Sequence, residues 1–368
     1  MDFASVFERY GEPSVMAFGG ACIGLMFGFF AQRSKFCLRA AVIEFWHRKF
    51  GEKLSVWLLA FSTAVVTIQV LILNHNIDLS TARQLAATGS ISGALIGGLL
   101  FGIGMILTRG CASRLLILSA NGNLRALLSG LVFAVAAQAS LSGALAPLRN
   151  TMSAWWTVEG GSSRDLLAIA GVGNWGGILF GLVWLIAALY FSIRSGGTIW
   201  KWIGGIGSGL AVALAWWFTY TASTNSFEII PLQGLTFSGP SAEWLMRILS
   251  SPQAPLNFDF GLLPSVFVGS FIGAWFGRDL KLEGFKDGYS MGRYIIGAIL
   301  MGFGAMLAGG CAVGAGITGG SIFALTAWLA LIGMWVGAGI TDWLFDSHSE
   351  SAQLKNLVAE SPANMRAP

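Results

Sequence analysis

Charge is scarce in this chain. Of its 368 residues only 11% are Asp, Glu, Lys or Arg, while 55% are hydrophobic. A soluble fold of this length needs more polar surface, because burial never hides all apolar groups. Proline (9), histidine (3) and cysteine (4) are also few. Four cysteines without paired metal-ligand spacing do not make a zinc site. The histidines, at 47, 75 and 348, all fall in connections, where a solvated side chain is expected. No Asp or Glu lies inside a confident apolar run, and Asp342 is only at an end. The buried carboxylate that proton-coupled carriers often use is therefore missing. The first 13 residues, MDFASVFERYGEP, set three acids against one arginine. That is not the basic n-region of a secretory signal, so the first apolar run is expected to remain as a span. The net charge is a small +4. No basic helix or aromatic-interleaved patch marks a nucleic-acid partner, and no motif implies a cofactor.

What is abundant is apolar length and glycine, of which there are 50. Small residues let membrane helices approach closely. Nine apolar runs reach, or nearly reach, the length that crosses the hydrocarbon core. They lie near 14–31, 54–73, 91–108, 123–141, 174–193, 200–220, 261–277, 293–308 and 321–343. Three further pieces are too short to cross: 34–46, 110–120 and 310–320. Each follows a full span, and each carries a cysteine near its start. Short irregular segments survive at membrane depth only when protein or a water-filled cavity surrounds them, so all three are read as re-entrant. The expectation is an all-α polytopic membrane protein in lipid. It has about nine transmembrane helices plus short re-entrant helices, forming one integral membrane domain over 1–368 with a polar tail at 344–368.

Lys and Arg set the orientation. The segments HRKFGEK at 47–53 and RDLKLEGFKDGYSMGR at 278–293 are the most basic connections. Placing both in the cytoplasm puts the N-terminus outside and the C-terminus inside. About 17 of the 22 Lys and Arg then lie inside. The long connections at 142–173 and 221–260 lie outside.

One motif occurs twice. FGIGMILTRGCA at 101–112 and MGFGAMLAGGCA at 301–312 share Gly102/Gly302, Gly104/Gly304, Leu107/Leu307, Gly110/Gly310, Cys111/Cys311 and Ala112/Ala312. The copies fall on the third and eighth spans, an odd number apart, and so run in opposite directions. That predicts an inverted repeat with a pseudo-two-fold axis and a site between its halves near mid-membrane. The first repeat covers about 14–141, a linker span about 174–193, and the second repeat about 200–343.

Cysteine at the start of a short helix sits among free backbone N–H groups and the positive end of the helix dipole, which favour an anion. Its sulfur is soft and its S–H is a weak donor. Cys37, Cys111 and Cys311 in file suit a small, soft, sulfur-bearing anion that is held loosely and passed on. An isolated membrane cysteine is ordinarily inert packing, and Cys22, amid GGACIG in the first span, is read that way. Arg33, Lys35, Arg39, Arg109 and Arg114 crowd the first two motifs. They are positive-inside determinants, attractors of an anion to the cytoplasmic mouth, or both. The second copy has Gly309 and Gly314 where the first has Arg109 and Arg114, so the external side is expected to be less charged. Asn121 and Asn123, in SANGNLRAL, are expected to cap the fourth span.

At FGFFAQRSKFCLRAA (28–41), RGCASRLLILSANGNLRALL (109–128) and GGCAVGAGITGGSIFALTAW (309–328) the sequence resembles the YeeE/YedE family of sulfur transporters, with thiosulfate uptake members as the nearest comparison. The resemblance implies a bacterial inner-membrane transporter of inverted-repeat type that imports thiosulfate along the thiols of Cys37, Cys111 and Cys311. It also implies a small cytoplasmic sulfur-carrier protein as partner. Some relatives are linked to other sulfur or selenium species, which keeps those substrates open. A different class of reading is a membrane sulfurtransferase that forms a persulfide on Cys111, with Arg109 and Arg114 favouring the thiolate. No general acid or base lies near, and the reading preferred here is a transporter, not an enzyme.

Overall fold

Lys35, Arg109 and Gly309 each adopt a left-handed backbone, with φ of 57°, 59° and 77°. Each ends a long helix, because one left-handed residue turns the chain and lets its next amides return to the last carbonyls. These breaks organise the architecture. The computed structural model describes residues 3–226, 228–250, 256–284 and 288–346. The tail residues 347–368, His348 among them, and 285–287 of the second basic connection lie outside the described residues.

The long helices and their short companions run in chain order. They are α1 (Glu12–Ser34), α2 (Leu38–Trp46), α3 (Glu52–Leu73), α4 (Ile91–Leu107), α5 (Ala112–Ala120) and α6 (Leu124–Leu141). Then come α7 (Gly173–Arg194), α8 (Ile199–Asn225), α9 (Ser238–Ser250), α10 (Phe258–Gly277), α11 (Gly288–Ala308) and α12 (Leu325–Thr341). A π-helical turn, Gly314–Gly319, stands between α11 and α12. Among the described residues nine helical stretches are long and apolar enough to cross a bilayer. The one sheet among them is the two-residue pairing of β1 (Gly89–Ser90) with β2 (Thr157–Val158), antiparallel, which ties the 142–173 connection to the start of α4. The chain is an all-α, multi-pass membrane protein.

Packing follows a reciprocal pattern. Helix α1 lies on α10, and α8 lies on α3. Helix α4 lies on α12, and α11 lies on α6. The pairs α1–α8 and α4–α11 close the centre, while α7 packs on α3 at the side. The short elements obey the same exchange: α5 touches α10 as the π turn touches α3, and α2 touches α12 as α9 touches α6. Glycine makes the tightest of these contacts. A Cβ at Gly20 or Gly28 would come within 2.1 Å of the Phe258 carbonyl oxygen or 2.3 Å of the Val266 one. No side chain fits there, and the two backbones meet directly.

Three of the short apolar pieces are where the sequence put them: α2, α5 and the segment around the π turn. The 221–260 connection is different. It enters the core, with Leu235 and Phe237 fully buried. Thr318 Oγ1 donates to the Leu235 carbonyl at 2.5 Å. This fourth inserted piece carries no cysteine and only a short apolar stretch, IIPLQGLTF, so it read as an external loop.

Candidate functional site

Cys37 precedes α2 as its N-cap residue, and Cys111 precedes α5 in the same way. The two breaks that free these positions lie on one side of the protein. There the Cys37 and Cys111 thiols face and interact with each other directly. Cys111 is fully buried and Cys37 half-buried; both are free thiols. Cys111 Sγ is also 3.4 Å from Ser113 Oγ. The positive charges of Arg114 and Arg39 act on the Cys37 sulfur. Both arginines are half-buried. An anion at this pair would meet two thiols, two guanidinium groups and the open amides of two helix starts.

A polar ring surrounds the pair. Gln32, fully buried, accepts from Arg114 Nη1 at 3.5 Å and donates to Asp279 Oδ2 at 3.3 Å. Asp279 also pairs with Lys35. The chain from Arg114 through Gln32 to Asp279 ties α5 to α1 and to the end of α10. Gln32 is a site residue that sequence reasoning missed, because a lone glutamine inside an apolar run carries no motif.

Cys311 is reached from the other end. It is 1% exposed. Its Sγ accepts the Phe237 N–H at 3.4 Å and the Gly314 N–H at 3.5 Å, and lies 3.9 Å from Thr236 Oγ1. So Cys311 faces the inserted 230–237 segment, as Cys111 faces Cys37. Two backbone amides on one sulfur make the position suited to negative charge. Between the two thiol groups stand three buried rings. Phe237 lies 5.3 Å from Phe27, and Phe27 lies 6.2 Å from Phe36, the neighbour of Cys37.

A cavity of about 400 Å³ opens beside Cys311, lined by Thr236 and Gly314, which touch its sulfur, and by Arg83, Arg149 and Arg164. Charge absent from the second cysteine motif is thus supplied here from distant parts of the chain. The arginines come from two connections, Arg83 from the one before α4 and Arg149 and Arg164 from 142–173, so no local motif displayed them. One signal was available: the expected topology leaves Arg9, Arg83, Arg149, Arg164 and Arg247 on the external side, and three of the five converge at this cavity. Arg164 is 6% exposed. Its guanidinium donates to the Ala87 and Arg83 carbonyls and to Thr326 Oγ1, with no carboxylate partner among the described residues. Burial first, then the nearby Arg83 charge, lower its pKa from the ordinary guanidinium value. A buried cation without an anion is costly, and a bound anion would offset that cost.

The remaining sequence candidates divide. Arg109 is exposed and bears the left-handed turn itself. A Cβ at Gly110 would find its nearest neighbours at 3.5 Å, ordinary contact, whereas at Gly310 it would meet Ala315 N at 2.9 Å. Asn123 caps α6, accepting from the Ala126 N–H at 2.9 Å. Asn121 does not: it ends α5 through its backbone, and its buried Oδ1 has no partner among the described residues. The capping expectation holds for one asparagine only, because N-cap geometry admits one residue. Cys22 is exposed on α1 rather than packed in the core. His47, expected to be solvated, places Nε2 2.7 Å from Asp342 Oδ2. Asp259, just before the expected seventh span, is buried in the first turn of α10 and accepts from Gln233 Nε2 at 3.4 Å.

Nine helices among the described residues that are long and apolar enough to cross a bilayer, with thiols at helix breaks and cationic groups beside them, describe a multi-pass membrane transport protein. Residues 33–340 match the family described as Sulphur transport, and the chain belongs to that family. The thiosulfate transporter TsuA of Spirochaeta thermophila is 26% identical over 89% of this chain and 99% of its own length. The thiosulfate transporter TsuA of Escherichia coli is 25% identical over 89% of this chain and 94% of its own. The probable transporter YedE of Escherichia coli is 35% identical over 40% of this chain and 38% of its own. These relatives are named as transporters, not enzymes.

Proposed function

We propose that this protein imports thiosulfate across the bacterial inner membrane along a path lined by Cys311, Cys111 and Cys37. The observation that carries the reading is the placement of the thiols. Cys311 adjoins an arginine-lined cavity at one end, and the Cys37–Cys111 pair faces Arg39 and Arg114 at the other. Arg83, Arg149 and Arg164 gather the anion. Cys311 and its two amides receive it, and the thiol pair passes it on. Thiol contacts and single N–H donors hold a soft anion weakly enough for it to leave, as conduction requires. Gly110 and Gly310 shape the two breaks, with Gly310 the tighter. Phe27, Phe36 and Phe237 form the barrier between the thiol groups. Asn121 and Arg109 lie toward the exit.

The arginine cavity faces outside, with the N-terminus out and the C-terminus in, because the lysine-rich connections belong in the cytoplasm. The halves 14–141 and 200–343 are inverted copies joined by the 174–193 span. Their support is the reciprocal packing of α1 on α10 with α8 on α3, and of α4 on α12 with α11 on α6. A small sulfur-carrier protein at the cytoplasmic exit would remove the product.

The test is uptake of labelled thiosulfate into liposomes holding the purified chain, with unlabelled thiosulfate or sulfate as competitor. The expected result is uptake that thiosulfate suppresses and sulfate does not. No uptake by folded protein would overturn autonomous thiosulfate transport, and suppression by sulfate would overturn the selectivity assigned to the thiols.

A further inference from the structure

One cavity in the molecule has nothing to do with the thiols. It measures about 570 Å³ and lies between α2, α3, α7 and α12, walled by residues such as Trp46, Phe50, Trp57, Trp184, Trp328 and Trp335, with no polar lining. The wall is ordered by its own contacts. Trp57 stacks on Phe61 at 5.3 Å, Trp335 stands edge-on to Phe45 at 5.0 Å, and Trp46 Nε1 donates to the Trp335 carbonyl at 3.1 Å. Three of its indoles are incomplete. The N–H groups of Trp57, Trp328 and Trp335 are buried with no acceptor among the described residues. Trp57 is only 4% exposed. The cavity surface itself is wholly apolar, so these N–H groups face the protein and not the slot.

The rim of the groove is cationic. Trp46 and Phe50 line it, and the residues between them include Arg48 and Lys49. Both are exposed, and neither has an ion-pair partner among the described residues. The nearby acids are engaged: Glu44 accepts the Leu54 N–H at 2.8 Å, Glu52 pairs with Lys201, and Asp342 holds His47. The groove thus joins an acyl-sized apolar slot to a short connection, between two of its lining residues, that carries two exposed cations.

We propose that this groove holds one anionic phospholipid, with an acyl chain among the tryptophans and the phosphate on Arg48 and Lys49. Apolar burial supplies the chain's affinity, and paired cations near the headgroup level select negative charge. The lipid would also brace α2, which runs from Cys37 at its start to Trp46 in the groove.

The test is native mass spectrometry of the full chain in detergent, titrated with dioleoyl phosphatidylglycerol or dioleoyl phosphatidylcholine. It reads lipid binding and does not depend on transport. One phosphatidylglycerol per chain is expected to survive activation that strips phosphatidylcholine. Arg48→Gln with Lys49→Gln is expected to reduce that retention about tenfold, the factor lost with about 1.4 kcal/mol of headgroup attraction. Ile332→Trp, which fills the slot from an exposed position, is expected to abolish it. Equal retention of both lipids, retention unchanged in both variants, or a lipid-free dimer covering the groove would overturn the proposal.

Discussion

The helix breaks at 109–112 and 309–312 share Gly-Cys-Ala and differ in almost everything around it. At the first, Arg109 takes the left-handed turn, a regular helix follows, and the thiol faces a second thiol. At the second, Gly309 takes the turn, a π-helical turn follows, and the thiol faces backbone amides of an inserted loop. Charge at the first comes from within the motifs, through Arg39 and Arg114. At the second it comes from two connections about 150 to 230 residues away in sequence, through Arg83, Arg149 and Arg164. The same local geometry is thus completed by different chemistry, and the two ends of the proposed path need not behave alike.

The largest expected effect falls on the thiols. Cys111→Ala should cut thiosulfate uptake by more than about tenfold, the loss that follows from removing 1.4 kcal/mol of site stabilisation. Cys111→Ser keeps a donor and loses the polarizable sulfur, so uptake should fall without vanishing. Cys311→Ala should lose less than Cys111→Ala, since the Phe237 and Gly314 amides remain. An equal loss at both would erase the difference between the two ends. Intact-mass measurement after turnover should find no persulfide on Cys111; a stoichiometric persulfide would replace weak contacts with covalent transfer.

Next comes charge at the arginine cavity. Arg149→Gln should raise the half-saturating thiosulfate concentration about tenfold at low salt, and the penalty should shrink as salt rises toward 0.5 M. A salt-independent defect, or a change in maximal rate alone, would place Arg149 outside anion capture. Sidedness sharpens the contrast further. An impermeant external maleimide should modify Cys311 faster than Cys111, and the reverse order would invert the orientation.

The smallest effects separate the two glycines. Gly310→Ala drives a methyl against the Ala315 amide and should destabilise by about 1–3 kcal/mol. Gly110→Ala meets only ordinary contacts and should stay within about 0.5 kcal/mol. Thermal unfolding in detergent reads both, and equal shifts would mean that the breaks are sterically alike.

Much of this architecture was legible beforehand because membrane helices announce themselves by length. Spans such as 54–73 and 91–108 match α3 and α4 within a few residues, and the cysteines at 37, 111 and 311 lie at the short segments where they were sought. What stayed hidden was assembly across distance. Thr236 and Phe237 meet Cys311 from a stretch too short and too polar to look like a membrane element. Arg164 acquires its role by burial against Ala87 and Thr326, which no spacing in the chain records. Gln32 matters because it joins Arg114 to Asp279. Asn121 and Asn123 looked equivalent in sequence, and only the backbone angles chose between them.

The measurement that bears most directly on the central claim is uptake of labelled thiosulfate into liposomes by the wild type beside Cys37→Ser, Cys111→Ser and Cys311→Ser, each checked for folding and insertion. The account predicts that all three fall below the wild type, with the Cys37 and Cys111 variants impaired together because their thiols face each other. Wild-type uptake by any one of them would contradict a path that runs along all three thiols.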